Sequence, residues 1–219
     1  MRTKTLLLTA ALCAAGAATS MAQVYSVNMV GYINQSIPQG YSMIANQLNN
    51  SPDNRITSLF ASPPSDTAVY KFNGAGYDSL TYIGGVGWDD GGTGQLNMTL
   101  NPGEGVFIFA PSAFTQTFVG EVALSSTVNV ARGFQVLSSA LPQSLPLDAA
   151  PPAGLGFPVA GGDFVYEFNG AGYDSYEFID QVGWNPSAPS PSIGESFFFF
   201  GSATAPVSRS WTRNFSVGP

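Results

Sequence analysis

The chain has 219 residues, only 10% of them charged, and 14 acidic side chains outnumber 7 basic ones to give a formal net charge of −7. It contains no histidine and one cysteine. These counts exclude Ser-His-Asp and Cys-His catalysis, a His-ligated metal, a disulfide framework and a thiolate zinc site.

Residues 1–22 have the pattern of a secretory signal peptide. Basic residues precede an apolar run, residues 6–18, which is too short to span a bilayer comfortably. Ser20 and Ala22 supply the small side chains of a cleavage site. We predict cleavage near Ala22 and a secreted mature chain, either periplasmic or extracellular. One alternative is an N-terminal membrane anchor. The other is lipoprotein processing at Cys13, which is less favoured because Leu12 stands where that processing needs a small side chain.

The predicted mature chain is strongly acidic. All 14 acidic residues remain, and the basic ones are Arg55, Lys71, Arg132, Arg209 and Arg213. Nucleic-acid binding needs clustered Lys and Arg, so we expect no nucleic-acid partner. No later stretch is long and apolar enough for a transmembrane helix, so we expect no membrane span in the mature chain.

An internal repeat organises the rest of the sequence. Residues 69–79 recur as residues 165–175 with 10 of 11 positions identical. Further matches follow in the same order: Gly87-Trp88 with Gly183-Trp184, Gly103-Glu104 with Gly194-Glu195, and residues 114–118 with 211–215. We therefore predict two tandem copies, repeat 1 over residues 23–124 and repeat 2 over residues 125–219.

Each repeat has the pattern of an all-β unit. Its apolar stretches are short, rich in Val, Tyr, Phe and Ile, and bounded by Gly, Pro, Asn and Asp. Residues 73–76, Asn-Gly-Ala-Gly, predict a hairpin turn between strands over 69–72 and 77–83. One short turn of helix is predicted around residues 56–60. We expect two pseudo-symmetric β-sandwich-like repeats, with a single closed pseudo-two-fold barrel as the alternative.

Two positions within these strands support further predictions. Residues 106–109 and 197–200 are apolar throughout, so we expect them to form interior strands covered on both faces. Lys71 and Glu167 occupy the one hairpin position that differs between the copies. A position that accepts either sign of charge is most simply exposed to solvent.

The repeat resembles uncharacterised β-rich tandem modules of Gram-negative bacterial surface and extracellular proteins. The resemblance rests on the Val-Tyr-x-Phe-Asn-Gly hairpin, the Gly-Trp pair, and the Pro-Gly-Glu-Gly segment, residues 102–105, before an aromatic strand. It implies a secreted β-repeat architecture and no catalytic residues or cofactors. Repeat 2 departs from the pattern at Ser196, where repeat 1 has Gly105.

A binding surface is predicted at the loops around the two tryptophans. Exposed aromatic rings stack on sugar C–H faces, and neighbouring polar side chains bind sugar hydroxyls. The candidate residues are Trp88, Trp184, Asp89, Asn185, Tyr77 and Tyr173. The alternative is that each tryptophan closes the end of its own core.

The acidic residues suggest two further possibilities. Glu104 and Glu195 each follow a glycine and precede an aromatic strand, and a glycosidase needs two such carboxylates about 5–10 Å apart. The alternative is that each carboxylate accepts backbone N–H bonds in its own turn. Asp89 and Asp90 resemble turn residues more than calcium ligands, so we predict no metal site.

We therefore expect a secreted, non-enzymatic structural or adhesive protein. Its partner would be a polysaccharide or another envelope or matrix component, and self-association is a further possibility. The second hypothesis is a carbohydrate-binding module that uses the loop tryptophans. The third is a glycoside hydrolase that uses Glu104 or Glu195 together with an aspartate in one cleft.

Overall fold

The computed structural model describes residues 29–215, which contain short strands and one helix. The predicted signal peptide, residues 1–22, lies outside the described residues. In repeat 1 the strands are β1 (Val30–Ile37), β2 (Gly40–Ile44), β3 (Ala68–Phe72), β4 (Tyr77–Ile83), β5 (Gly87–Asp89), β6 (Val106–Ala110) and β7 (Phe114–Glu121). The single-turn helix α1 (Ile56–Leu59) lies between β2 and β3, as predicted.

Repeat 2 repeats this strand sequence. Its strands are β8 (Ser125–Ala131), β9 (Gly133–Leu137), β10 (Asp163–Phe168), β11 (Tyr173–Ile179), β12 (Gly183–Asn185), β13 (Phe197–Gly201) and β14 (Ser208–Asn214). Among residues 29–215 no helix is both long and apolar enough to cross a membrane.

Both repeats have the same topology. Strands β1 and β7 form a two-stranded ribbon, and β2-β6-β3-β4-β5 form a five-stranded sheet. In repeat 2 the ribbon is β8-β14 and the sheet is β9-β13-β10-β11-β12, with every pair antiparallel. The prediction of two all-β, sandwich-like repeats is confirmed. The described strands form four open sheets, so the alternative of one closed barrel is wrong.

Each repeat has its own core beneath its five-stranded sheet. In repeat 1, Val69, Leu80 and Ile108 point inward and pack with Phe60 and Phe118. The equivalent core of repeat 2 is built on Val165, Phe197, Phe199, Phe157 and Trp211. Side chains alternate between the two faces of a strand, so the neighbouring residues of these strands project from the outer face.

The apolar strands β6 and β13 are interior strands of their sheets, buried on the inner face and partly covered on the outer face. Each lies between two partners in its sheet, and Val106 and Ile108 are fully buried on the inner side. Phe107, on the outer side, is only 9% exposed. The predicted interior position is therefore confirmed, whereas full coverage of the outer face holds for Phe107 but not for Phe109, Phe198 and Phe200, which are only half-buried.

The duplicated hairpin has the predicted turn in both copies. The side-chain oxygen of Asn73 accepts bonds from the N–H groups of Ala75 and Gly76, at 3.1 and 2.8 Å. Gly74 has φ +97°, a conformation that glycine adopts without a steric cost. Asn169 makes the same bonds in repeat 2, so the local sequence alone determines this turn.

The last strands of the two repeats align differently from the sequence match. Ile37 and Val130 are equivalent core residues, and they pair with Phe114 and Arg209 respectively. Residues 114–118 therefore correspond to residues 209–213, and the proposed match to 211–215 is wrong by two positions. A shift of two residues keeps every side chain on the same face of the strand, so the error is invisible in the polar-apolar pattern.

An approximate two-fold axis relates the repeats. Ile44 of β2 pairs with Glu195, and Glu104 pairs with Leu137 of β9, which are equivalent contacts made in both directions. Reciprocal contacts of this kind are the mark of a two-fold interface. The backbone N–H of Ala45 bonds to the carbonyl of Gly194 at 2.8 Å, and the equivalent bond in the other direction is 3.0 Å.

Candidate functional site

The outer faces of the two five-stranded sheets carry aromatic side chains. They project from the face opposite each core, because they alternate with the buried core residues of the same strands. We call the following set the aromatic face: Tyr41, Tyr70, Phe72, Tyr77, Phe107 and Phe109 of repeat 1, with their equivalents Phe134, Tyr166, Phe168, Tyr173, Phe198 and Phe200.

Four phenylalanines of the aromatic face join the repeats at the two-fold axis. The ring centroids of Phe72 and Phe198 are 5.6 Å apart, and those of Phe107 and Phe168 are 5.5 Å apart. Phe107 and Phe198, which are equivalent residues, approach to 5.9 Å. These tilted and edge-to-face geometries are favourable for aromatic pairs. The repeats therefore contact each other through their outer sheet faces.

Two clefts open on the aromatic face beside this cluster. The first, of about 260 Å³, is lined by Tyr41, Tyr70, Tyr77, Phe107 and Tyr173. The second, of about 430 Å³, is lined by Phe72, Tyr77, Phe134, Tyr166, Tyr173 and Phe198. Apart from Phe72, the residues that line one cleft are the two-fold equivalents of those that line the other. Tyr77 and Tyr173 belong to both clefts and form their shared wall.

The clefts are uncharged and accessible. Their lining side chains are phenylalanine and tyrosine alone, so tyrosine hydroxyls are the polar side-chain groups they offer. Tyr77 and Tyr173 are each 46% exposed. Burial raises the pKa of both residues above the usual value of 10.0. Tyrosine hydroxyls are protonated at neutral pH even at that usual value, so both can donate as well as accept hydrogen bonds.

The structure divides the predicted binding residues into two groups. Tyr77 and Tyr173 lie together in the clefts, as described above. Trp88, Asp89, Trp184 and Asn185 lie on β5 and β12, the edge strands of the sheets, and do not line either cleft.

Both tryptophans contact the cores of their own repeats. Trp88 donates its indole N–H to the carbonyl of Phe60 at 2.8 Å and packs edge-on against Tyr82. Trp184 is only 9% exposed and packs against Phe178. A ring as covered as Trp184 cannot stack on a sugar unless the surrounding loop moves. This geometry matches the alternative in which each tryptophan closes the end of a core.

The polar neighbours of the tryptophans are exposed at the last positions of β5 and β12. The carboxylate of Asp89 accepts the N–H of Gly91 at 3.2 Å, and Asp90 accepts the N–H of Gly92 at 2.9 Å. Asn185 is exposed at the end of β12. The two aspartates therefore act as turn residues in this loop.

Glu104 and Glu195 also act within their own turns. Glu104 accepts the backbone N–H of Asn101 at 2.7 Å, and Glu195 accepts that of Ser192 at 2.8 Å. They line different cavities, of about 460 and 410 Å³, and no other described carboxylate lines either one. Among residues 29–215 these two glutamates therefore do not form the paired carboxylates of a glycosidase in one cleft.

The variable hairpin position is not a simple solvent-facing site. Lys71 forms an ion pair with Glu104 at 2.9 Å and donates to the carbonyl of Thr99 at 2.8 Å. Glu167, its equivalent, is half-buried beside Glu195, the equivalent of Glu104. Burial first, and the charge of Glu195 second, raise the pKa of Glu167 above its ordinary value. The expectation of simple exposure is wrong because each side chain reaches the turn before the neighbouring strand.

Sequence reasoning missed most of the cleft lining. Tyr41, Tyr70, Phe134 and Tyr166 were not among the predicted site residues, although each lines one cleft. The sequence signal that could have found them is the period-two alternation of a strand. Tyr70 and Phe72 alternate with the inward-pointing residues of β3, so they project from its outer face. Because one face of each sheet is enough to form the core, aromatic residues on the opposite face indicate a second packing or binding surface.

Comparison of the chain with family models, curated proteins and solved structures finds no match. The suspected resemblance to secreted bacterial β-repeat modules therefore stays a prediction.

Proposed function

We propose that the chain is a secreted, non-enzymatic structural or adhesive protein that binds its partner through the aromatic face. The observation that supports this most strongly is the pair of uncharged aromatic clefts related by the two-fold axis. Tyr41, Tyr77, Phe134 and Tyr173 are 46–53% exposed there, although large aromatic side chains are costly to leave in water. Exposure of four such rings on one contiguous face is typical of a binding surface.

The use of the acidic residues supports a non-enzymatic role. Glu104 is held by Lys71 and by the N–H of Asn101, and Glu195 is held by the N–H of Ser192. These interactions stabilise the turns before β6 and β13. The hydrolase hypothesis needs one of these two glutamates, acting with an aspartate, as acid or base.

A carbohydrate-binding module is the second candidate function. It is favoured by the exposure of Tyr77 and Tyr173, which combine an apolar ring with a hydroxyl group. In this form of the hypothesis the tyrosines of the clefts replace Trp88 and Trp184 as the stacking residues.

The experiment that tests the proposed function measures retention of the purified mature protein on cells and extracellular matrix of the producing organism. We expect the Tyr77→Ala/Tyr173→Ala variant to lose at least about ten-fold in retention, since the two rings are the shared wall of both clefts. Tyr32→Ala is the matched control, because Tyr32 is 73% exposed on β1 and lines neither cleft. Equal retention of the two variants, or no retention of the unaltered protein, would contradict the proposal.

A further inference from the structure

We infer that the two clefts together form one bivalent site for an uncharged polysaccharide. This inference rests on the proposed function, because it names the partner that the aromatic face would bind. It differs from the tryptophan-based hypothesis in its residues, since the contacts would come from Tyr41, Tyr77, Phe134 and Tyr173.

The chemistry of the clefts fits sugar rings. A pyranose has apolar C–H faces that pack on aromatic rings and hydroxyl groups around its edge. The first cleft presents three tyrosine rings of repeat 1 and Tyr173 from repeat 2, so stacking surfaces and hydroxyl groups occur together. The hydroxyls of Tyr70, Tyr77 and Tyr173 are protonated at neutral pH, as tyrosine hydroxyls ordinarily are, so each can donate as well as accept a hydrogen bond.

The charge distribution selects a neutral ligand. No lysine, arginine, aspartate or glutamate is among the described residues that line either cleft. A uronate or sulfate group would lose its hydration there without gaining an ionic partner. The formal net charge of −7 would also repel a polyanionic chain. Glucans, mannans, xylans and galactans without acidic groups meet both conditions.

The size and arrangement of the clefts favour a polymer over a small sugar. Volumes of about 260 and 430 Å³ lie at or below the lower part of the range of small-molecule sites, so each suits a short segment of a chain. The clefts adjoin at Tyr77 and Tyr173, so neighbouring units of one polymer can occupy both. Occupation of the second cleft is then intramolecular, which raises the affinity without any new type of contact.

The two-fold relation has a consequence for the bound chain. A two-fold rotation reverses the orientation of the second cleft. A single polysaccharide chain that spans both clefts would therefore lie in opposite directions relative to the residues of the two clefts. Stacking tolerates this reversal, because an aromatic ring contacts the C–H face of a sugar in the same way whichever direction the chain runs. The second cleft is also larger and has Phe134 where the first has Tyr41, so it offers one hydroxyl fewer.

Binding measurements on the purified mature protein test the inference. The probes are neutral glucans, mannans, xylans and galactans, each as a soluble polymer and as its tetrasaccharide. We expect Tyr41→Ala, which alters the first cleft only, to lower the affinity for the bound polymer by about 100-fold. Phe134→Ala, which alters the second cleft only, should do the same. Both variants should bind the tetrasaccharide within about three-fold of the unaltered protein, because one cleft remains intact.

Further variants separate loss of contact from loss of fold. Tyr77→Phe/Tyr173→Phe keeps both rings and should retain polymer binding within about ten-fold, whereas Tyr77→Ala/Tyr173→Ala should abolish it. Tyr32→Ala should leave binding unchanged. Near-ultraviolet circular dichroism shows whether each variant is folded. If Tyr41→Ala or Phe134→Ala unfolds the protein, the single variants Tyr70→Ala and Tyr166→Ala repeat the comparison, because each alters one cleft only.

Several outcomes would overturn the inference. These are no binding to any neutral polymer, equal binding of alginate, preference for a proline-rich peptide, or self-association that buries the aromatic face at micromolar protein. Loss of polymer affinity in step with tetrasaccharide affinity would reject bivalency. If neutral polymers bind poorly but retention on cells and matrix still depends on Tyr77 and Tyr173, only the polysaccharide is rejected. If retention is absent as well, the proposed function is rejected too.

Discussion

Gly105 and Ser196 are equivalent residues that meet at the two-fold axis. A Cβ atom at position 105 would overlap the Cβ of Ser196 and lie 2.7 Å from a methyl group of Val136. Ser196 is fully buried, and within residues 29–215 its hydroxyl has no hydrogen-bond partner. The departure of repeat 2 from the repeat 1 motif therefore has a packing reason: the space on the axis holds one side chain.

We expect Gly105→Ser to destabilise the folded chain by about 1–3 kcal/mol, the usual cost of forcing extra atoms into a packed site. Chemical denaturation would measure the change. The double variant Gly105→Ser/Ser196→Gly should recover part of that loss, because it leaves one serine on the axis. Recovery should be incomplete since a side chain at 105 still meets Val136, and no recovery would show that the two positions do not share one space.

Glu167 and Lys71 show how one residue changes the charge balance of a hairpin. Lys71 neutralises Glu104, whereas Glu167 faces Glu195 with the same sign of charge and has a buried carboxylate oxygen without a partner in the described chain. The pKa of Glu167 is raised, so its negative form disfavours the folded state. Its contribution to the free energy of unfolding is therefore most favourable below the ordinary value of 4.5 and falls as the pH rises through the raised pKa.

We expect Glu167→Gln to stabilise the chain at pH 7 by about 0.2–1 kcal/mol, the range for partly exposed charge pairs. The gain should shrink as the pH falls through the raised pKa and vanish well below the ordinary value of 4.5, where glutamate is neutral in both states. Thermal unfolding across this pH range would measure it. Lys71→Gln is the matched control in repeat 1, and it should have the opposite sign at pH 7 because it removes an ion pair with Glu104. A gain that persists at low pH would contradict the charge explanation.

Strands β10 and β14 hold a buried ion pair that repeat 1 lacks. Asp163 is fully buried, accepts the N–H groups of Ala160 and Ser202 at 2.8 Å, and pairs with Arg209. The strand register places Thr67 and Phe114 at the equivalent positions of repeat 1. The same scaffold thus accepts a charged pair or a neutral pair at this contact between ribbon and sheet.

We expect Asp163→Thr alone to cost about 3–5 kcal/mol, because it leaves the guanidinium of Arg209 buried without its charge partner. The double variant Asp163→Thr/Arg209→Phe recreates the residues of repeat 1 and should recover most of the stability. Denaturation of both variants decides the point. An equal loss in the single and double variants would mean that Asp163 acts through the backbone N–H groups that donate to it and not through Arg209.

At the scale of the whole molecule, the sequence predicted the parts whose determinants are local. The Asn-Gly hairpin, the apolar interior strands and the duplicated topology all follow from residues close together in the chain. The clefts do not, because Tyr77 and Tyr173 come from different repeats and meet only through the packing of outer sheet faces. Alternation in β3 shows that Tyr70 and Phe72 face away from the core, but it cannot show what covers them.

The same limit explains the two corrections. The charge at position 71 is balanced by Glu104, which is distant in sequence and adjacent only across the sheet. The shift of two residues in the last strand preserved the alternation, so only the pairing of Ile37 with Phe114 and of Val130 with Arg209 reveals it. The polar-apolar pattern of a strand shows which side chains face the core, but the register of the strand is known only when its paired strand is known.

The single serine on the axis has a consequence for how such a molecule can change. Two unlinked, identical repeats that dimerised in this way would have to carry the same residue at both positions, and glycine alone would satisfy both. In one fused chain the two codons are independent, so Ser196 can coexist with Gly105. Fusion therefore allows the halves to diverge one side at a time, a route closed to a homodimer of a single repeat.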